Sequence, residues 1–131
     1  MRASWIRAAR LAWLWGPVLV CMAAIYAVSA LPTAPLPPDV SDRSAHLLAY
    51  LGLAALATRA AAGGLGAAVT PRVALVALAI ASGYGAVDEW HQSFVPGRVP
   101  DVRDWYADTI GAVIGVGLCW AWGIMASRPR A

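Results

Sequence analysis

The residues able to do chemistry gather in one stretch, GAVDEWHQSFVPGRVPDVRDWYADTIG, from Gly85 to Gly111. It carries Asp88, Glu89, His91, Gln92, Arg98, Asp101, Arg103, Asp104 and Asp108, with long apolar sequence on either side. A smaller group precedes it: Asp42, Arg43, His46 and Tyr50. Carboxylates beside histidine can move protons or take a cation, and arginine is a planar, bidentate donor for carboxylate or phosphate. Charge placed between apolar spans is expensive and rarely idle.

Helices must position these groups. Asp42, His46 and Tyr50 recur every four residues and form one stripe. Asp88 and Gln92 share a face at the same interval, while Asp101, Asp104, Asp108 and Gly111 follow a three-four-three pattern on another. Fifteen residues separate Arg72 from Asp88. That is about 22 Å of helix against a hydrocarbon core of about 30 Å. Short-stemmed Asp42 and Asp88 cannot snorkel far, so the helix ends are expected to dip around a shared, recessed polar pocket. The plain alternative is an ion-pair network that locks helix ends together, with Arg43, Arg98 and Arg103 balancing the acids.

The composition fits a membrane setting. Of 131 residues, 60% are hydrophobic and 13% charged. A soluble domain is nearer half apolar and a quarter charged. The chain reads as a single domain over residues 1–131. All ten cationic residues are arginines at the ends of apolar blocks, which suits topology and headgroup contact rather than nucleic acid. Cys21 and Cys119 lie inside apolar blocks and read as small buried hydrophobes. No cofactor is expected and no metal ligand set is assigned.

In chain order, spans are expected at about 11–31, 44–62, 72–91 and 104–125: an all-α, four-helix transmembrane bundle with short loops. The first apolar run exceeds the core of a secretory signal and is read as an uncleaved span, although Val28-Ser29-Ala30 would pass as a cleavage site. The proline-rich residues 32–44 form an extended loop, with Ser41 or Asp42 capping the next helix. That helix stops at Gly63-Gly64, and Gly83-Tyr84-Gly85 leaves room for close packing. Pro96-Gly97 marks a turn. Gly111, Gly115 and Gly117 give the last helix a small-residue face, a candidate homodimer contact.

Arginine counting sets the orientation. Arg2, Arg7, Arg10, Arg59, Arg72, Arg128 and Arg130 share one side, and only Arg43, Arg98 and Arg103 the other. The positive-inside rule then places both termini in the cytoplasm and all seven acids outside. Trp13, Trp15, Trp120 and Trp122 mark the inner interface, Trp90 and Trp105 the outer one.

At these residues the sequence resembles the VanZ-like family of small bacterial membrane proteins. The match runs through Asp42-Arg43-x-x-His46 with Tyr50, Asp88-Glu89-x-x-Gln92, Pro96-Gly97-Arg98-x-x-Asp101-x-x-Asp104, and Asp108-x-x-Gly111. It spans about residues 15–125, with Arg43 where lysine is common and Asp108 where asparagine is common. The resemblance implies a role at the bacterial cell envelope, in the cytoplasmic membrane, connected with low-level resistance to the lipoglycopeptide teicoplanin.

Three functions are weighed. The first is a binder: Arg43, Arg98 and Arg103 hold an anionic lipid headgroup or lipid-linked precursor, or exclude a lipoglycopeptide. Asp42, His46, Tyr50, Asp88, Glu89, Gln92, Asp101, Asp104 and Asp108 complete the lining. The second is an enzyme on a lipid-linked phosphate or glycan, with His46 or His91 as acid/base and Asp88, Asp104 or Asp108 binding a metal or activating water. His46 is the better base, since His91 beside Trp90 reads as an interfacial side chain. No HExxH, Walker A or GxSxG motif supports the enzyme. The third, a transporter, would need oligomerisation, because four short spans show no internal repeat.

Overall fold

The structure is a computed structural model that describes residues 2–126. Four helices follow in order: α1 (Arg2–Ser29), α2 (Asp42–Ala62), α3 (Pro71–Gln92) and α4 (Val102–Ala126), with no strand among the described residues. Three contain a stretch long and apolar enough to cross a membrane: Ser4–Ser29, Asp42–Ala62 and Pro71–Gln92. The fourth expected span does not join them. Its first turns carry Asp104 and Asp108, and residues 109–126 are uncharged and mostly apolar. Arg128 and Arg130, used above to orient the chain, lie outside the described residues.

Local chemistry explains the helix limits. Ser41 caps α2, its hydroxyl accepting from the Ser44 N–H at 3.1 Å, and Asp42 stands in the first turn against the helix dipole. Gly63, at φ 89°, ends α2 in the left-handed conformation, and the N–H groups of Gly63 and Gly64 return to the carbonyls of Ala60 and Arg59. Thr70 caps α3, with Pro71 at its start. The first helix begins earlier than the expected residue 11, because Trp5, Ile6 and the surrounding alanines contain no breaker.

Helix α1 also runs through Pro17. Proline has no N–H for the carbonyl four residues back, which is Trp13. Arg59 of α2 supplies a donor, its Nη1 lying 3.2 Å from the Trp13 oxygen and 3.4 Å from that of Leu14. The same guanidinium stands 5.2 Å from the centre of the Trp13 ring.

The most extensive packing is α2 on α4. Gly111 and Gly115, offered above for a dimer, face α2 of the same chain. A Cβ at Gly111 would strike the Leu47 carbonyl, and one at Gly115 the Leu51 carbonyl. A homodimer would therefore use another face; Gly117 meets nothing nearby. Helix α3 joins α4 through Trp105 Nε1 to the Ser82 carbonyl (3.0 Å) and the Ser82–Thr109 hydroxyl pair (2.9 Å). Trp105, expected at the outer interface, is thus half-buried between helices. Among the described residues α1 packs on α2 and α3 and not on α4. Tyr84 of α3 fixes it by donating to the Met22 carbonyl at 2.7 Å.

Elsewhere large apolar side chains are exposed, among them Leu19, Val20, Leu48, Leu75, Ile110 and Leu118. An apolar surface of this extent is expected of helices solvated by lipid rather than water.

Candidate functional site

One end of the bundle holds the polar residues. The loops between α1 and α2 and between α3 and α4 meet there, with Gly97 against Pro32. Val95, Pro96, Gly97 and Arg98 form a tight turn closed by the Arg98 N–H to the Val95 carbonyl (3.1 Å), and Gly97 at φ 88° supplies the backbone it needs. This turn delivers Arg98 to the end of α1. Its Nε donates to the Leu31 carbonyl at 3.0 Å and its Nη1 to Asp42 Oδ2 at 3.2 Å.

At the centre, His46 of α2 and Asp108 of α4 are both buried, with Nδ1 2.9 Å from Oδ1. Asp108 fits because position 85 on α3 lacks a side chain: a Cβ there would lie 2.7 Å from Asp108 Oδ2. Tyr50 follows one turn below His46, its ring nearly parallel at 6.3 Å. The Tyr50 hydroxyl and Asp108 Oδ2 are buried without a hydrogen-bond partner.

A second pair links α3 to α1. Gln92 Nε2 lies 3.4 Å from Asp88 Oδ2 and 3.5 Å from the Ser29 hydroxyl, and all three residues are buried. Glu89 turns toward the cluster, its Oε2 accepting the Asp101 N–H at 2.9 Å while Oε1 is buried and unpartnered. At the rim, Arg43 pairs with Asp104 (3.6 Å) and Asp101 (3.7 Å).

The structure therefore brings together Asp42, Arg43, His46, Tyr50, Asp88, Glu89, Gln92, Arg98, Asp101, Asp104 and Asp108. Arg103 stays out: it is exposed, and its backbone N–H, not its guanidinium, meets Asp101 (2.9 Å). His91 is half-buried and stacked on Tyr26, with ring centres 4.3 Å apart. Ser29 was not read as a site residue, and nothing local marks it, since its partner Gln92 arrives from a distant helix. The role of Arg59 does have a sequence signal: Pro17 inside an apolar span leaves a carbonyl that needs a donor.

A cavity of ≈ 310 Å³ opens between α1 and α2 at this end. Its wall along α1 is apolar (Ala24, Ile25 and Val28, with the thiol of Cys21), and it ends among Asp42, His46, Tyr50, Asp88 and Arg98. Six carboxyl groups cluster here against two arginines and one histidine, so the site is acid-rich. Both arginines already face carboxylates. Such an arrangement can orient a polar headgroup by hydrogen bonds, attract a cation, or hold His46 in a fixed tautomer through Asp108.

Apolar helices gathered around a buried polar end define a helical membrane protein. Residues 19–124 match the family model described as VanZ/LLP1, and the chain belongs to that family. No curated protein and no solved structure gave a significant match.

Proposed function

We propose that this VanZ-family protein binds a membrane lipid with an anionic headgroup, or a lipid-linked envelope precursor, in the crevice between α1 and α2. The observation that carries this reading is the cavity's polarity gradient, apolar along α1 and closed by buried polar groups. An acyl or prenyl chain would lie along Ala24, Ile25 and Val28. The headgroup would take hydrogen bonds from Arg98, which lines the cavity, and from the unpartnered Tyr50 hydroxyl.

In this reading all four helices cross the bacterial cytoplasmic membrane, both termini are cytoplasmic and the polar end faces out, in keeping with the arginine distribution. Holding such a lipid at the outer face would alter the target seen by a lipoglycopeptide such as teicoplanin. The protein is a binder in this proposal, and the carboxylates orient the arginines.

The test is native mass spectrometry of the full chain released from nanodiscs containing anionic phospholipid and polyprenyl phosphate. The wild type should retain one lipid. Ala24→Trp, which fills the apolar arm, should lose it while melting like the wild type. Arg98→Ala should also lose it, with a modest drop in melting point from the lost Leu31 and Asp42 contacts. Equal retention by all three proteins would refute the crevice as a lipid site.

A further inference from the structure

We propose that the polar end of the bundle, beside the α1–α2 crevice, holds one divalent transition-metal ion, of the zinc or manganese type, between Asp42, His46 and Asp104. This deepens the lipid reading and rests on the pocket it uses. Each of the three residues offers a ligand atom, and these atoms lie within 4.8 Å of one another. Imidazole with two carboxylates suits ions that accept both nitrogen and oxygen, and disfavours calcium and magnesium, which prefer oxygen alone.

The surrounding contacts leave the right atoms available. His46 commits Nδ1 to Asp108, so Nε2 remains for an ion. A buried carboxylate behind the imidazole is the usual outer partner of a metal-bound histidine, fixing tautomer and ring orientation. Asp42 gives Oδ2 to Arg98, and Asp104 faces Arg43 with Oδ1, so each keeps one oxygen free of those pairs.

A second observation points the same way. The Tyr50 residue is 1% exposed, its hydroxyl has no partner, and it lines the cavity that Asp42 and His46 also line. Asp42 and His46 line that cavity, so a position left open by three protein ligands can admit water or a headgroup oxygen from it. The charge balance gives the ion a purpose. A phosphate entering this acid-rich end meets more carboxylate than arginine, and a divalent cation offsets part of that negative charge and gives the phosphate a local positive partner. Sequence spacing conceals the set, since two ligands come from α2 and the third from α4.

The experiment uses untagged full-length protein in detergent, stripped with chelator and titrated separately with Zn²⁺ and Mn²⁺ by calorimetry. Bound metal is then counted by elemental mass spectrometry after gel filtration. One ion per chain is expected for the wild type and for the loop control Asp39→Asn. Asp42→Asn and Asp104→Asn should each weaken binding at least about tenfold, the scale known for outer-shell partners alone. The two variants are scored separately, after a melting check, so a folding failure in one leaves the other decisive. Absence of stoichiometric binding to the wild type, or unchanged affinity in a folded variant, overturns the site. Lipid retention by chelator-stripped protein that takes up no ion would remove the metal and leave the lipid crevice. Ion uptake that persists in Ala24→Trp, with no lipid retained by any protein, would establish the metal and remove the lipid reading.

Discussion

Helix α2 presents two unlike faces. Toward α4 it is closed, because Gly111 and Gly115 bring backbone against the Leu47 and Leu51 carbonyls, and the seam ends in the buried His46–Asp108 pair. Toward α1 it is looser. Leu14 and Val18 of α1 pack against it, and Arg59 hydrogen-bonds to α1 near one end. Loop residue Arg98 bridges Leu31 and Asp42 near the other, and a cavity lies beside the polar end. The difference teaches where the molecule can exchange a ligand. In lipid there is no hydrophobic drive between helices, so tight contact needs small residues or hydrogen bonds. The α2–α4 seam has both along its length. The α1–α2 contact has hydrogen bonds only near its ends; between them Leu14 and Val18 of α1 pack into the core, and the cavity opens beyond them toward the polar end.

Substitutions can break this contrast, beginning with the largest effect. Asp108→Ala removes one partner of a buried pair and strands His46, at a cost of about 3–5 kcal/mol. Thermal unfolding in detergent should show it as the least stable variant of the set. A melting point near that of the wild type would mean that the pair contributes little to the seam. Gly111→Leu forces a side chain into the Leu47 carbonyl and should cost about 1–3 kcal/mol, whereas Gly117→Leu, on the open side, should leave the unfolding midpoint unchanged. Equal effects of the two glycine variants would show that the seam is not specially close.

Arg59→Ala tests the looser side. It removes a donor to the Trp13 carbonyl and the contact with the Trp13 ring, for an expected loss of about 1 kcal/mol. Hydrogen exchange should rise around Pro17 and not along α4. The smallest effect on stability belongs to Ala24→Trp, which should unfold like the wild type yet carry no lipid in native mass spectra. If it kept its lipid, the opening beside α1 would be irrelevant to binding.

Much of this was legible in the residues. Ser41, Gly63 and Pro71 fix helix ends by chemistry that acts within a few residues, so the limits of α2 and α3 came close to expectation. The stripe of Asp42, His46 and Tyr50, and the four-residue step from Asp88 to Gln92, follow from helical geometry alone. Helix α1 was less legible at its start, because the apolar run that marks a span begins near residue 11 although nothing in Arg2–Arg10 opposes a helix. The glycine face of α4 showed that a close contact must exist but not with what.

By itself, the sequence determined that apolar helices carry a polar cluster to one end, and that the chain resembles its family. Those features depend on spacing and composition, which a single chain displays directly. Tertiary structure decided the pairings: Asp108 to His46 rather than to arginine, Arg59 to the carbonyl that Pro17 leaves without a donor, and the glycines to α2 rather than to a second copy. It also decided that Arg103 stays outside the cluster and Ser29 enters it. Such choices turn on which helix faces meet, and no periodicity within one helix encodes the rotation of its neighbour.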